Sequence, residues 1–306
     1  MGNMPVNKCS SYTYLGTEIT AEPLNKHIAA HVKIKESQAL KFYSFLNKNF
    51  DAPYTVKKQV WTSALISSIM FSCETWLTKD FTSVNKLYND TLKNMLGVRR
   101  TTCNDILYIE TGIPDAKTFI QIRQKNFLTK LYRRTYFRGS YLDKIINLVK
   151  NNRTPAGKYI LEIENIREDI FDKFMANLKY KINNSNSSKR IAYKVINPSL
   201  IVHNLYSLNL PEFKRIEASR LRLISHNLRI ETQRWSRIPV QNRLCMCGEV
   251  QTEEHILCVC PCFLAIRNKL EYQNLNFINI SSLMQDDTGV LVDFIYETLS
   301  KCYALL

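Results

Sequence analysis

Apolar residues recur at helical spacing along most of the chain. After Pro23 they follow one another at steps of three, four or seven positions, as on one buried helix face: Ile28, Val32, Ala39, Tyr43 and Leu46. The same reading predicts helices over 54–76, from an N-cap at Asp80 to Gly97, from Pro114 to about Phe137, and over 140–150, 163–178, 211–230, 263–270 and 288–304. Only "SSYTYLGTEIT", residues 10–20, favours a strand, with a break at Gly16. The predicted fold is mainly α, with a short β-strand or hairpin at the N-terminus.

Two polar stretches interrupt this pattern. "NNRTPAGK", residues 151–158, is rich in turn-forming residues, and "NNSNSSK", residues 183–189, has the composition of a flexible linker. We therefore expect an N-terminal strand segment at 1–22, a helical region at 23–182, a linker at 183–189 and a helical tail at 190–306.

The net charge of the chain indicates a class of binding partner. The chain has 42 Lys and Arg residues against 27 Asp and Glu, a formal net charge of +15, so polyanions such as RNA and DNA are the leading partner class. Residues 117–158 carry eleven Lys and Arg against Asp143 alone, or +10, and residues 214–243 carry eight against two, or +6.

Both basic stretches contain aromatic residues, which can stack on unpaired bases. The candidate contacts in the first are Arg123, Lys125, Lys130, Arg133, Arg134 and Arg138, of which Arg123, Lys130, Arg134 and Arg138 share one face of the predicted helix. The candidates in the second are Arg220, Arg222, Arg229 and Trp235. The alternative for the first stretch is a solvated helix face whose aromatics lie in the core. The alternative for Trp235 is a core anchor that packs the tail together.

Five cysteines and one histidine occur within "RLCMCGEVQTEEHILCVCPC", residues 243–262. Thiolate and imidazole ligands favour zinc over calcium or magnesium, and four protein ligands indicate a structural site. Cys245 and Cys247 precede Gly248, which permits a tight turn. His255 and Cys258 would share the face of an unbroken helix, whereas Pro261 allows the chain to turn Cys260 back. Spacing therefore leaves both Cys258 and Cys260 open as the fourth ligand.

Several motifs carry a family resemblance when taken in order. They are "YLGTEI" (14–19), "SCETW" (72–76), "MLGVRRTT" (95–102), "YIETGIP" (108–114) and "ASRLRLISHNL" (218–228), which leads into "CMCGEVQTEEHILCVCP". Together they resemble the end of the palm, the thumb and the C-terminal CCHC zinc knuckle of non-LTR (LINE-type) retrotransposon reverse transcriptases. The resemblance implies a thumb-like helical region and the zinc ligands Cys245, Cys247, His255 and Cys260.

The catalytic part of that family is not recognisable in this sequence. The polymerase aspartates hold two Mg²⁺ ions and belong upstream of the "YLG" strand, whereas Asp286-Asp287 follows the cysteines, and Asp287 is predicted as a helix N-cap. We therefore expect a nucleic-acid-binding part of an RNA-directed DNA polymerase that has no polymerase activity alone. Mg²⁺ is implied only if an upstream catalytic palm exists. The alternative is a host-adopted, zinc-stabilised protein-interaction module that does not bind nucleic acid.

The expected setting follows from the cysteines and the hydropathy. The start of the sequence has no basic segment followed by an apolar one, so clustered cysteines predict metal ligands in a reducing intracellular compartment, the nucleus or the cytoplasm. The longest apolar run, Val60 to Cys73, is too short to span a bilayer, so no membrane partner is expected. No small-molecule substrate is expected either; RNA or DNA, and upstream polymerase domains of the same element, are the expected partners.

Overall fold

The computed structural model describes residues 9–14, 17–20, 23–134 and 136–305. Two short strands, β1 (Ser11–Tyr14) and β2 (Thr17–Thr20), form an antiparallel pair in which Tyr12 lies opposite Ile19. All other regular structure in the described residues is helical, so the predicted mainly α fold with a short N-terminal hairpin is confirmed. The predicted break at Gly16 lies outside the described residues.

Fifteen α-helices occur among the described residues. They are α1 (Leu24–Lys48), α2 (Tyr54–Val60), α3 (Ser67–Ile69), α4 (Thr82–Leu96), α5 (Asn104–Thr111), α6 (Ala116–Arg133), α7 (Tyr141–Asn151), α8 (Pro155–Glu164), α9 (Ile170–Asn183), α10 (Ser188–Ile196), α11 (Glu212–Arg222), α12 (Arg229–Thr232), α13 (Leu264–Arg267), α14 (Ile280–Leu283) and α15 (Gly289–Ala304). Two π-helices, Trp61–Ile66 and His255–Val259, and five 3₁₀ turns, Cys73–Thr75, Asn204–Tyr206, Val240–Asn242, Pro261–Phe263 and Leu270–Tyr272, complete the described helical structure.

Most predicted helices are present, but several are interrupted. The stretch 54–76 contains α2, a π-helix, α3 and a 3₁₀ turn instead of one helix. The predicted helix over 163–178 is wrong, because α8 ends at Glu164 and α9 begins at Ile170. Helix α6 ends at Arg133, about a turn earlier than predicted.

The predicted cap at Asp287 is also wrong. Thr288 is the N-cap residue of α15, and the Asp286 carboxylate accepts hydrogen bonds from the Thr288 backbone N–H at 2.9 Å and from its hydroxyl at 2.5 Å. Asp80 lies one residue further from its helix than predicted, since its carboxylate accepts from the Thr82 N–H at 3.1 Å and α4 starts at Thr82.

The described residues pack into two compact units. The first consists of the described part of Met1–Lys41 with Ser63–Tyr88 and Asp115–Lys173, and the second of Phe42–Thr62, Asn89–Pro114 and Phe174–Leu306. The predicted linker is shorter in the structure, since only residues 184–187 separate α9 from α10. The proposed domain boundary at 183–189 remains a prediction.

In the core of the first unit, hydrogen bonds join helices α6 and α8 to the chain around Trp76. The side-chain amide of Gln124 on α6 donates to the backbone oxygens of Cys73 and Trp76 at 3.1 and 2.9 Å, and Tyr159 on α8 donates to the Gln124 amide oxygen at 2.9 Å. Gln124 and Trp76 are almost fully buried. This arrangement fixes α6, the helix that carries the first basic stretch, against α8 and the 3₁₀ turn Cys73–Thr75.

The second unit has a close helix approach at Gly97. The φ of Gly97 is +71°, and a Cβ added there would meet the side chain of Ile216 on α11 at 2.9 Å. A side chain at this position would therefore be strained by both its backbone conformation and the contact. Gly97 lets the chain end α4 directly against α11.

No helix in the described residues is both long and apolar enough to cross a membrane.

Candidate metal centre and charged surfaces

Four metal-ligating side chains of the second unit converge on one point. The Sγ atoms of Cys245, Cys247 and Cys260 and a ring nitrogen of His255 all lie within 4.8 Å of one another. The Cys245 and Cys260 sulfurs are 3.7 Å apart, the Cys247 and Cys260 sulfurs 3.8 Å, and Cys247 Sγ lies 3.1 Å from His255 Nε2. A disulfide would need about 2.05 Å between sulfurs, so the three thiols are free. This cluster has the residue types and the spacing to hold one metal ion.

The first half of the cluster is a tight turn. Leu244 and Val250 form an antiparallel bridge, the Cys245 N–H donates to the Glu249 oxygen at 2.7 Å, and Gly248 adopts a φ of +93°. Such a φ is accessible to glycine at little cost. The turn therefore directs Cys245 and Cys247 toward the same point, as the sequence predicted.

The second half is a π-turn, which the sequence did not reveal. The N–H of Cys260 donates to the backbone oxygen of His255, five residues earlier, at 2.6 Å. Residues five apart lie about 140° from each other around an α-helix, but a π-turn places them on the same side. This turn brings Cys260 beside His255, and Pro261 begins the 3₁₀ turn that follows.

Cys258 and Cys262 lie outside the four-residue cluster. Burial raises the pKa of the Cys258 thiol to about 11, so this side chain is a neutral apolar group at pH 7. Of the two candidates that spacing left open, the structure places Cys260, not Cys258, with the other three residues.

The electrostatic environment favours the metal-binding form of Cys247 and His255, whereas burial raises the pKa of the Cys260 thiol. A hydrogen bond from the Glu249 backbone lowers the pKa of Cys247, which favours the thiolate. Burial lowers the pKa of His255, which favours the neutral imidazole. Thiolate and neutral imidazole are the forms that coordinate metal ions.

Three arginines, of which Arg243 and Arg267 are buried, donate hydrogen bonds to backbone oxygens around the cluster. The Arg267 guanidinium donates to the Cys260 oxygen at 2.6 Å, and Arg243 donates to the Ile238 oxygen at 2.8 and 2.9 Å and to the Ile230 oxygen at 2.6 Å. Arg229 Nη1 donates to the Leu244 oxygen at 2.7 Å. These hydrogen bonds satisfy backbone carbonyls, and that of Arg229 connects α12 to the turn that carries Cys245 and Cys247.

The predicted basic contacts of the first unit have different surroundings. Arg123 pairs with Glu74 at 2.7 Å, and Lys125 donates to the Glu168 oxygen at 3.2 Å. The remaining four, Lys130, Arg133, Arg134 and Arg138, are exposed and form no ion pair with a described residue. Because α6 ends at Arg133, Arg134 and Arg138 lie beyond it, and the predicted single helix face through both is wrong.

The aromatics of the first basic stretch divide between core and surface. Phe137 is buried, and Tyr132 is half-buried, where its hydroxyl donates to Glu164. Tyr136 is 71% exposed, and the Arg134 guanidinium lies 5.7 Å from its ring centroid. The alternative that these aromatics belong to the core is therefore correct for Phe137 but not for Tyr136.

In the second unit the predicted contact at Arg222 is wrong. Arg222 is 2% exposed, and its guanidinium forms an ion pair with Glu110, which also accepts from the Tyr193 hydroxyl at 2.8 Å. A buried, paired arginine cannot reach a phosphate. Arg220 is only partly exposed and is held by Glu217 at 2.5 Å and by the Gly97 oxygen at 2.7 Å.

Trp235 is exposed, which rules out the alternative of a core anchor. Its side chain is 59% accessible, whereas Trp61 and Trp76 are buried. Lys189 on α10 places its ammonium 5.9 Å from the Trp235 ring centroid. The charge runs of the sequence had not singled out Lys189, because it lies in the polar stretch interpreted as a linker.

No family model, no curated protein and no solved structure matches this chain.

Proposed function

We propose that this protein binds single-stranded or structured nucleic acid, and that a structural zinc ion stabilises the C-terminal part of its second unit. The resemblance to the thumb and tail of non-LTR retrotransposon reverse transcriptases supports the same reading. The observation that carries the nucleic-acid proposal is the set of exposed, unpaired cations next to an exposed tyrosine in the first unit: Lys130, Arg133, Arg134 and Arg138 with Tyr136.

The geometry of the cysteine cluster supports zinc as the metal. Tetrahedral zinc with zinc–sulfur distances of about 2.3 Å separates two ligand sulfurs by about 3.8 Å. The sulfurs in this structure are separated by 3.7 and 3.8 Å. Three thiols and one imidazole also form a donor set that zinc prefers. Bound there, zinc would cross-link the turn at Cys245 to the π-turn at His255, and four protein ligands would leave no position for substrate.

Unpaired cations contribute to nucleic-acid affinity through contacts with phosphates, which do not depend on the base sequence. Each neutralised phosphate of a single strand releases counterions, so the logarithm of the affinity falls with the logarithm of the salt concentration by about 0.7 per contact. Cations already paired to carboxylates, such as Arg123 with Glu74, contribute less to this term.

The test is a salt titration of binding to single-stranded RNA and DNA, read by fluorescence anisotropy. We expect a linear salt dependence for the intact protein, and a slope smaller by about 0.7 for each of Arg133→Gln and Arg138→Gln. Arg123→Gln is a matched arginine control whose slope should change less, because Arg123 is already paired with Glu74. A flat salt response, or no binding at low salt, would overturn the proposal.

A protein-interaction role is the second candidate, and helix α7 favours it. Tyr141, Leu142, Ile145 and Leu148 lie on one side of this helix, and all four are exposed. Exposed apolar patches often mark interaction sites. If the protein fails to bind nucleic acid, this helix is the surface on which a partner should be sought.

A further inference from the structure

Trp235 lies on a sharp turn at the surface of the second unit. The turn follows α12 and closes through a hydrogen bond from the Ile238 N–H to the Gln233 oxygen at 3.2 Å, with Arg237 at a φ of +55°. A left-handed conformation is uncommon for residues other than glycine. The turn follows the end of α12, and both Trp235 and Arg237 are exposed on it.

A buried carboxylate forms ion pairs with two cations, one of which lies close to the indole. Glu231 is 1% exposed; its oxygens lie 2.6 Å from Lys189 Nζ and 3.0 Å from an Arg234 Nη atom. Lys189 is the residue whose ammonium lies 5.9 Å from the Trp235 ring centroid. Because Glu231 fixes both cations, neither has to be ordered when a ligand arrives, which lowers the entropic cost of binding.

The charge of this group remains positive. Lys189 and Arg234 against Glu231 leave one positive charge, and Arg237 is exposed and has no ion pair with any described residue. An aromatic face combined with nearby cations is the arrangement with which proteins bind unpaired bases and the phosphates that flank them. A duplex does not offer its base faces, because each base is stacked between its neighbours.

We propose that Trp235 is a stacking platform for one unpaired base of a single-stranded nucleic acid, with Lys189, Arg234 and Arg237 beside its flanking phosphates. This inference rests on the proposed function and adds the part of the ligand that the second unit recognises. Stacking on the Trp235 ring supplies affinity that depends on a base being present. The cations supply affinity that depends on the phosphates alone.

The experiment separates bases from phosphates. Binding is measured by fluorescence anisotropy with oligo(dT) and oligo(U) of about twelve nucleotides, and with an abasic strand of the same length and charge. We expect Trp235→Ala to weaken binding of oligo(dT) and oligo(U) by about tenfold and to leave binding of the abasic strand unchanged. Trp235→Phe should keep most of the affinity, since a phenyl ring also stacks. The salt dependence should be the same for Trp235→Ala as for the intact protein.

Two variants serve as controls. Tyr180→Ala removes another exposed aromatic of the second unit, 71% accessible on α9, and should change neither affinity. Arg237→Gln should reduce the salt dependence by about 0.7 without changing the ratio of oligo(dT) to abasic affinity. Because Trp235 is mostly exposed, Trp235→Ala should unfold at the same denaturant concentration as the intact protein.

The outcomes distinguish this inference from the proposed function. If the intact protein binds every strand and Trp235→Ala binds them equally well, or loses oligo(dT) and the abasic strand to the same extent, the stacking platform is wrong and the proposed function stands. An equal loss in Tyr180→Ala would also overturn it, since the effect would not be specific to Trp235. If the intact protein binds none of the strands, the proposed function fails and the subsite fails with it.

Discussion

Two groups of arginines, one in each unit, have opposite surroundings. In the first unit, Arg133, Arg134 and Arg138 are exposed and have no ion pair among the described residues. In the second, Arg215 and Arg222 are almost fully buried, each next to a buried glutamate, and Arg243 is bonded to backbone oxygens. A count of charges in the sequence does not distinguish the exposed arginines from the buried ones.

The difference follows from the cost of removing charge from water. A buried guanidinium remains charged, so it needs acceptors that replace its lost hydration. Glu110 and Glu212 supply them for Arg222 and Arg215, and carbonyl oxygens supply them for Arg243. Three of the eight cations of residues 214–243 are therefore buried, and Arg237 is the one that is both exposed and without an ion pair among the described residues.

Three helices of the second unit are very short. Helices α12, α13 and α14 have four residues each, whereas α15 in the same unit has sixteen and α6 in the first unit has eighteen. Helices this short have almost no stability of their own. These short helices therefore depend on contacts with other segments. The buried arginines supply such contacts, and a metal ion held by the cysteine cluster would add a cross-link.

Loss of the metal should have the largest effect and would test this comparison most directly. Structural zinc in small domains is worth about 10–16 kcal/mol apparent at neutral pH. We expect a chelator, or Cys260→Ser, to remove hydrogen-exchange protection from residues 243–267 while the α6 and α8 amides of the first unit stay protected. Hydrogen exchange followed by mass spectrometry measures both regions in one experiment.

The matched control is Cys262→Ser, two residues from Cys260 and outside the cluster. It should leave both the zinc content and the exchange pattern unchanged. A protein that keeps its zinc as Cys260→Ser but loses it as Cys262→Ser would contradict the ligand assignment. Equal loss of protection in α6 would show that the units do not differ in their dependence on the metal.

Arginine substitutions should give the next largest effect. Arg222→Met leaves the Glu110 carboxylate buried without its partner, so we expect the free energy of unfolding to fall by about 3–5 kcal/mol. Arg133→Met, in the exposed group of the first unit, should change it by less than about 0.5 kcal/mol. Denaturant unfolding monitored by circular dichroism measures both.

A double substitution tests whether the unpaired Glu110 carboxylate causes the loss of stability. Replacing both partners, as Arg222→Met with Glu110→Leu, removes the unpaired charge and should recover part of the lost stability. If Arg222→Met and Arg133→Met destabilise the protein equally, burial is not what distinguishes the two groups of arginines.

The sequence predicted features that depend on local spacing. Periodic apolar residues predicted α1 and α15, and Gly97 and Gly248 marked turns that do have positive φ. The set Cys245, Cys247, His255 and Cys260 came from the family resemblance, because local spacing alone could not exclude Cys258. Spacing could not distinguish the two cysteines because the π-turn between His255 and Cys260, which places Cys260 beside His255, is a backbone conformation that residue propensities do not specify.

Partners distant in sequence could not be predicted. Arg222 pairs with Glu110, more than one hundred positions away, and Lys189 reaches Trp235 and Glu231 from another helix. Charge patterning therefore assigned Arg222 to the surface and passed over Lys189. Among exposed residues of the first unit, where no distant carboxylate intervenes, the same patterning selected Lys130 and Arg133 as free cations.

Acidification should have the smallest effect and would show whether the first unit has a pH response of its own. The pKa of His31 is lowered, mainly by burial and further by Lys35 and His27, although its hydrogen bond with the Ile69 oxygen at 3.1 Å acts in the opposite direction. The unfolded chain then binds a proton at His31 at higher pH than the folded protein does. Stability from this group is therefore present above its unfolded pKa of about 6.5 and is lost as the pH falls toward the lower folded value.

His31→Gln removes this titration while keeping a donor for the Ile69 oxygen. We expect the free energy of unfolding of the intact protein to fall more steeply than that of His31→Gln as the pH is lowered from about 7.5 to about 5.5. Comparing the two proteins at each pH cancels every other titrating group, including the cysteine cluster of the second unit. Identical pH profiles would mean that burial of His31, whose ring lies 5.6 Å from that of Trp76 between centroids, does not lower the pKa of the imidazole in the folded protein.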